Sequence, residues 1–521
     1  MPQLKVLNLT GCADLLISPD LSSFTALEIL ILERCSQLMK LDPSIRHLKY
    51  LASLNLRFCN ELSMLPIELS HLKALKELLI DGTSVQEIPV SMGYMERLEI
   101  FSASNCLQLS HLPDSLCHLT ALSVLLLEHA EITRIPDSAG TLVKLRDLSL
   151  KDCRWIERLP DSIQKLKRLE QLDITGTGIS KLPNSITCLR CLKVLKMDSC
   201  FIRELPREIG NLANLEELHA SYCRSLKGAI PKAIKSLDHL KILRLGHSSI
   251  SGLPSEIVSL SCLQTLDLLR CNKIQALPEL PSSLTCLRVS SERMKALPDL
   301  KFMVKLEEIC LGDTDPKELI CASTWKKPRS RLRDTLVVPV GLPKLKILEL
   351  SHSKISSLSL SCTHLKKLVL SGVNLQVSVL PVSLSVLSIQ RCFSLKGLPA
   401  VGNLRTLSEI NLIQSAVEEI KGLEGLIALE VLNIAYCEIR NLNGLGQLSA
   451  LRRLILSDCD SLDELPDISD LKMLNVLEVQ RCKIHDIEGL KELTSLEVLH
   501  VSECEAEKTQ QVQDALKRVM A

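Results

Sequence analysis

The chain has 521 residues, 46% of them hydrophobic but only 2% aromatic, with a formal charge of +1. So weak a net charge excludes bulk attraction to nucleic acid or an anionic membrane. So few rings argue against a carbohydrate or enzyme pocket and for a core of branched aliphatic side chains.

Met1-Pro2-Gln3 leads directly into an apolar alternation without the basic and apolar regions of a signal peptide. The most apolar window, Ala121–Leu127, is too short to span a bilayer. The alternation is a repeat. Leu51-x-x-Leu54-x-Leu56-x-x-Cys59 is followed by Leu62, Leu65-Pro66, Leu69 and Leu72, and Leu75-x-x-Leu78-x-Ile80-x-x-Thr83 restarts it 24 residues on. A period of this length marks a leucine-rich repeat. Leu54 and Leu56 alternate with polar neighbours, which predicts a short strand with one buried face. The Leu-Pro pair and its apolar followers predict a return segment on the opposite side. No unit can bury its leucines alone, and stacking the units does so.

Strand motifs start at Leu4 and recur through Leu306, then resume from Leu345 to Leu496, which gives about 22 coils. The expected fold is an α/β solenoid, a leucine-rich-repeat horseshoe. Its parallel sheet lines the concave face, and short helices, 3₁₀ turns and extended segments form the convex face. From Leu4 to about Ala276 the return is regular, as in Leu112-Pro113-Asp114-Ser115-Leu116, and proline suits the first position of a short helix. Over Leu277–Leu287 the period shortens and extended chain is expected. The segment 315–342 interrupts the array and carries Trp325, Lys326, Lys327, Arg329, Arg331 and Arg333. It reads as a solvated basic loop, with a partner contact or nuclear-import patch as the sharper alternative. The segments are therefore 1–314, the insertion 315–342, a second array 343–504 with slimmer Gly-Leu coils, and a tail 505–521. In the tail, Val512, Ala515, Leu516 and Val519 fall at helical spacing after Thr509. No such cap precedes Leu4, so the first coil is expected to expose an apolar edge, as in a fragment or truncated product.

Of 21 cysteines, thirteen hold one repeat position: Cys12, Cys35, Cys59, Cys106, Cys153, Cys200, Cys223, Cys271, Cys392, Cys437, Cys459, Cys482 and Cys504. Thr83, Thr177, Ser248 and Ala130 substitute for them elsewhere, so the site is a small buried corner in which a thiol packs. Disulfides between adjacent coils are the rival reading. Unpaired thiols in such numbers point to a reducing compartment, hence a cytoplasmic or nuclear protein. Cys188-x-x-Cys191 has no second pair nearby, so no zinc or other metal is expected. No phosphate loop, His-Glu-x-x-His, Gly-x-Ser-x-Gly or dinucleotide fingerprint occurs, so no catalytic residue and no cofactor is expected.

The outward strand surface remains. Beside the corner thiol it offers Arg34, Phe58, His129, Asp152, Tyr222, His247, Arg270, Arg391, Tyr436 and Arg481, and one position inward Arg57 and Lys151. Arginines and exposed aromatics anchor protein interfaces, although many such side chains are merely solvated. Their mixed signs favour a protein partner over a phosphate backbone.

The stretches LKVLNLTGC (4–12), LILERCSQL (30–38), LNLRFCNEL (54–62), LKELLIDGTSVQEIP (75–89) and LPELPSSL (277–284) resemble the repeat region of plant intracellular immune receptors of the TIR-type nucleotide-binding class. The resemblance runs from Leu4 to about Pro399 and is weaker beyond. It implies recognition of a pathogen effector, directly or through a guarded host protein, and a share in autoinhibition against the receptor's own nucleotide-binding domain. That family's TIR and nucleotide-binding domains are absent from these residues, so the resemblance brings no enzymatic activity and no nucleotide. The alternatives are a stand-alone intracellular scaffold and, from Gly228-Ala229-Ile230-Pro231, a plant surface-receptor ectodomain.

Overall fold

The computed structural model describes residues 3–291, 293–294, 298–300, 302–312, 342–351, 363–373 and 379–520. The insertion expected at 315–342 falls, but for Leu342, outside these residues. Contacts divide the chain into two units, Met1–Cys271 and Asn272–Ala521.

The first unit contains strands β1 (Val6–Asn8), β2 (Ile29–Ile31), β3 (Ser53–Asn55), β4 (Glu77–Leu79), β5 (Ile100–Ser102), β6 (Val124–Leu126), β7 (Asp147–Ser149), β8 (Gln171–Asp173), β9 (Val194–Lys196) and β10 (Glu217–His219). A short β11 (Lys227–Ala229) follows, then β12 (Ile242–Arg244), β13 (Ser249–Gly252) and β14 (Thr265–Leu268). β11 and β13 pair only with each other; the other strands pair in parallel along the array, with leucine opposite leucine as at Leu54↔Leu78 and Leu148↔Leu172 and Phe101 in the leucine's place in β5. The second unit contains β15 (Cys286–Val289), β16 (Glu308–Leu311), β17 (Ile347–Ser351), β18 (Lys367–Ser371), β19 (Val386–Gln390), β20 (Glu409–Ile413), β21 (Val431–Ala435), β22 (Arg453–Ser457), β23 (Val476–Gln480) and β24 (Val498–Ser502). These too are parallel, in the register Leu432↔Leu454. Twenty-two strands thus join the ladders, the number of coils the motif predicts.

The coil folds this way because each leucine of the motif points between sheet and return segment. Leu51, Leu54, Leu56, Cys59, Leu62 and Leu72 are fully buried. Phe101 is the large aromatic of the core. In the first unit most returns are five-residue 3₁₀ helices, such as Ile67–His71, Asp114–His118 and Asp161–Lys165, and the return at Ile209–Asn211 has three residues. Proline sits one position earlier than the sequence reading placed it. Pro66, Pro113 and Pro160 are the N-caps, and their carbonyls accept the first turn's bond, as in Leu69 N–H to Pro66 O at 3.2 Å. An N-cap needs no amide hydrogen of its own in the helix, so proline is tolerated there. Among the described residues only Pro43 lies inside its helix, behind the N-cap Asp42, whose carboxylate accepts from Ser44 N.

In the second unit the returns shrink to three residues, Leu423–Gly425, Leu445–Gln447 and Leu490–Glu492, as the Gly-Leu pattern predicts. Their N-caps Gly422, Gly444 and Gly489 have φ of 87–89°, a left-handed turn that a side chain would strain. The tail forms α1 (Gln510–Met520), whose Val512 and Ala515 are buried on the last coil. Arg518 fastens it by donating to the carbonyls of Leu490, Lys491 and Leu493 at 2.9–3.1 Å. At the other end Val6, Leu16 and Ile17 are 43–52% exposed, the open apolar edge expected of the first coil.

Candidate functional site

Every coil leaves its strand through a tight turn, and this turn positions the candidate residues. In the third coil Cys59 N–H bonds Leu56 O at 3.3 Å, with Arg57 and Phe58 between them. Phe58 has φ +59°, the left-handed conformation that such turns usually give to Gly or Asn at their third residue. The same conformation recurs at Arg34, His129, Asp152, Tyr222, His247, Arg270, Arg391, Tyr436 and Arg481, with φ between +46° and +60°. Gly11, Gly82, Gly176 and Gly372 occupy equivalent positions in other coils.

The expectation that these ten side chains lie on the strand surface is therefore corrected. They stand in the exit turns, along one edge of the sheet, and Arg57 and Lys151 are the turn residues just before them. The missed signal was the alternation of Gly-Cys and Gly-Thr with Phe-Cys and Tyr-Cys at one position, which marks a backbone site needing positive φ.

Side chains of successive turns meet along this edge. The Arg34 guanidinium lies 5.9 Å from the Phe58 ring centroid, and Phe58 covers Gly82, where a Cβ would fall 2.8 Å from the ring. His129 approaches Asp152 at 3.7 Å, and the Asp152 carboxylate covers Gly176. Tyr222 and His247 stack with centroids 4.1 Å apart. In the second unit Arg391 donates to Gln414 at 3.1 Å, and Arg481 holds Asp458 through two bonds of 2.6 and 2.8 Å. The structure thus links neighbouring candidates in pairs rather than gathering all twelve at one point.

Behind the edge, the corner thiols tie each coil to the previous one. Cys59 donates to Leu32 O at 3.1 Å, Cys153 to Leu127 O at 2.9 Å and Cys223 to Met197 O at 3.0 Å. Where threonine replaces cysteine, the bond turns inward: Thr83 donates to its own coil's Ile80 O at 2.8 Å and lies 3.4 Å from the Cys106 sulfur. Burial pushes the Cys59, Cys153 and Cys223 thiols up to about 12, so they are protonated and inert at neutral pH. Free cysteines occupy all thirteen corner positions.

The strand face itself is half-buried and polar. Burial raises the Asp147 carboxyl above its ordinary range, reinforced by Asp173 and Glu128. Asp198 is also raised by burial, although Ser221 N–H donates to it. Among the described residues no group of three or more His, Cys, Asp or Glu is placed to hold a metal, and no helix is long and apolar enough to cross a membrane. The cavity beneath β6 and β7 is lined by Leu142, Leu145, Leu148, Ile163 and Leu166, an apolar gap within the core.

The family described as "Leucine-rich repeat region" matches residues 3–139, 136–227 and 218–322. Among solved structures, a leucine-rich-repeat protein of Leptospira interrogans superposes with a TM-score of 0.53 at 20% identity, over 95% of this chain and 100% of that one. The plant peptide hormone receptor RGFR1, solved with RGF2, gives 0.52 at 22% identity over 96% and 90%. The Arabidopsis receptor kinase HAESA, solved with the peptide hormone IDA and the co-receptor SERK1, gives 0.53 at 22% identity over 96% and 87%. At such identities these similarities speak for the fold. With its family match spanning more than half of the sequence, the chain belongs to the leucine-rich-repeat family.

Proposed function

We propose that this chain is the protein-recognition region of an intracellular plant immune receptor of the TIR-type nucleotide-binding leucine-rich-repeat class. It acts in the cytoplasm, with the nucleus as a second site. It senses a pathogen effector, directly or through a guarded host protein, and holds the receptor's nucleotide-binding domain inactive until then. The observation that carries the reading is the corner itself. Eleven of the thirteen corner thiols are buried and donate hydrogen bonds to backbone carbonyls, and all thirteen are unpaired, an arrangement suited to a reducing compartment. Just outside them the exit turns present Phe58, Tyr222 and Tyr436 at 42–50% exposure among arginines, as protein interfaces do.

The test is effector-triggered cell death in leaf tissue expressing the parent receptor. Tyr222→Ala with Arg270→Ala should abolish the response, whereas Lys165→Ala on the return side should preserve it. An unchanged response in the first variant would sink the reading.

A second reading, a surface-receptor ectodomain, is favoured by one feature. Gly228-Ala229 of the Gly-Ala-Ile-Pro motif forms β11, which pairs in parallel with β13 as a separate two-stranded ribbon. The ribbon occurs once among the described residues, and disulfides between coils would be its chemical signature.

A further inference from the structure

The few aromatic side chains are not spread evenly. Of twelve, Phe58, Trp155, Phe201, Tyr222, Phe393 and Tyr436 lie in or just beyond the exit turns, each 42–72% exposed. A sequence that uses rings so sparingly, and exposes half of them along one rim, bears a cost in exposed apolar surface there. Several occupy left-handed backbone that glycine would adopt with less strain, as it does at Gly82 and Gly176. Strain kept for a large exposed side chain is a reason to look for a function.

Basic side chains are concentrated on one stretch of the same rim. Across the turns after β9, β10, β12 and β14 it presents Phe201, Arg203, Tyr222, Arg224, His247 and Arg270. Phe201, Arg203, Tyr222 and Arg224 are exposed, and the stacked Tyr222 and His247 rings, inclined by only 15°, form a flat ledge among the arginines. No carboxylate lies within ion-pair distance of Arg203 or Arg224 among the described residues. The nearby acids are engaged in hydrogen bonds, Asp198 from the exit turn after β9 to the next coil and Glu217 and Asp267 within their own coils. Asp198 accepts from Ser221 N–H at 2.5 Å, Glu217 bonds His219 at 2.9 Å and Asp267 accepts from Leu269 N–H at 3.0 Å. Glu204, beside Arg203, is the exposed acid that borders the patch.

We infer that this rim, rather than the strand face, is the docking edge of the first unit. Its partner is a protein segment that presents carboxylates beside an aromatic or branched aliphatic side chain. The carboxylates meet Arg203, Arg224 and Arg270, and the apolar group lies on the Tyr222–His247 ledge against Phe201. Arg and aromatic side chains together also stack on single-stranded nucleic acid. Here Asp173, Glu217 and Asp267 line the adjoining strands and Asp198 the turn after β9, and their charge opposes a phosphate backbone. The inference rests on the protein-recognition reading and is independent of the immune setting.

The test uses the full chain and fluorescence anisotropy with three labelled probes: a dodecapeptide of Glu and Asp interspersed with Trp and Leu, its Lys-substituted counterpart, and a single-stranded DNA dodecamer. The acidic peptide should bind saturably, more weakly as salt rises, and the other two at least tenfold less well. Arg203→Glu with Arg224→Glu should weaken the acidic peptide at least tenfold, and Tyr222→Ala several-fold. Lys165→Glu with Lys235→Glu, on the return side, should change nothing, and the melting temperatures of all variants should match the wild type. Affinity unaffected by the rim reversal would overturn the docking edge and leave protein recognition to the strand face. Tighter binding of the DNA than of the acidic peptide would overturn the inference in favour of a nucleic-acid ledge.

Discussion

The two units solve one problem with different parts. In the first, strands are mostly three residues long and are balanced mostly by five-residue 3₁₀ turns behind a proline N-cap. In the second, β17 to β24 have five residues and the regular 3₁₀ turns shorten to three behind a left-handed glycine. Each coil must return to the start of the next strand, so residues removed from the back demand a sharper turn there. Proline can stiffen a long return because it fixes φ and needs no donor. A short return reverses direction within one residue, and only glycine does this without strain. The core is unchanged by the exchange: Leu148 and Leu432 occupy the same inward strand position, at 3% and 0% exposure.

This comparison can be broken most forcefully at that shared position. Leu148→Asp and Leu432→Asp should each destroy the packing of the coils around them, since truncation to alanine alone costs about 2–5 kcal/mol at a buried leucine. Hydrogen exchange should show protection lost first in the neighbouring strands, because each coil contacts only its neighbours. A variant that melts like wild type would show the register to be wrong.

Next in size are the return caps. Gly422→Ala should cost about 1–3 kcal/mol, because φ is +87° and the new Cβ would fall 2.7 Å from the Gly402 amide nitrogen. Pro160→Ala in the first unit should cost less than about 1 kcal/mol, since alanine accepts the same extended φ and ψ and only chain stiffness is lost. Equal melting shifts for the two would erase the distinction between the returns.

The corner thiols allow a test of pH. Their folded-state pKa values, about 12 at Cys59, Cys153 and Cys223, lie above the ordinary thiol value of 9.0. A raised pKa contributes stability that is complete below the unfolded value and lost as pH climbs to the folded one. Stability should therefore decline progressively from pH 9 to pH 12, and replacing the three with Ser or Ala should flatten part of that decline. The smallest effect is expected on the strand face. Asp147→Asn removes a charge that burial, Asp173 and Glu128 all disfavour, and should raise stability by up to about 0.5 kcal/mol.

Much of this fold is legible from spacing. The motif fixes which side chains point inward, and the parallel strands, buried corners, slim Gly-Leu returns and terminal helix all follow from it. Backbone conformation was harder to read. Phe58, Tyr222 and Arg481 look like strand residues because they follow an alternating pattern, yet alternation says nothing about φ. Only comparison with Gly82 and Gly176 at the same position in other coils reveals the turn. Phe201 and Arg224 escaped for a related reason. They lie beyond the corner, where the repeat imposes no pattern that singles them out.

The corner connects fold, compartment and proposed role, so its chemistry is the most direct measurement. Protein isolated from its own tissue would be alkylated at once, denatured without reductant and mapped by mass spectrometry. The account predicts that all 21 cysteines carry the alkylating group, with no bond between successive corners. Disulfides between corners such as Cys35 and Cys59 would contradict it, replacing the hydrogen-bonded thiol ladder with the staples of a secreted ectodomain.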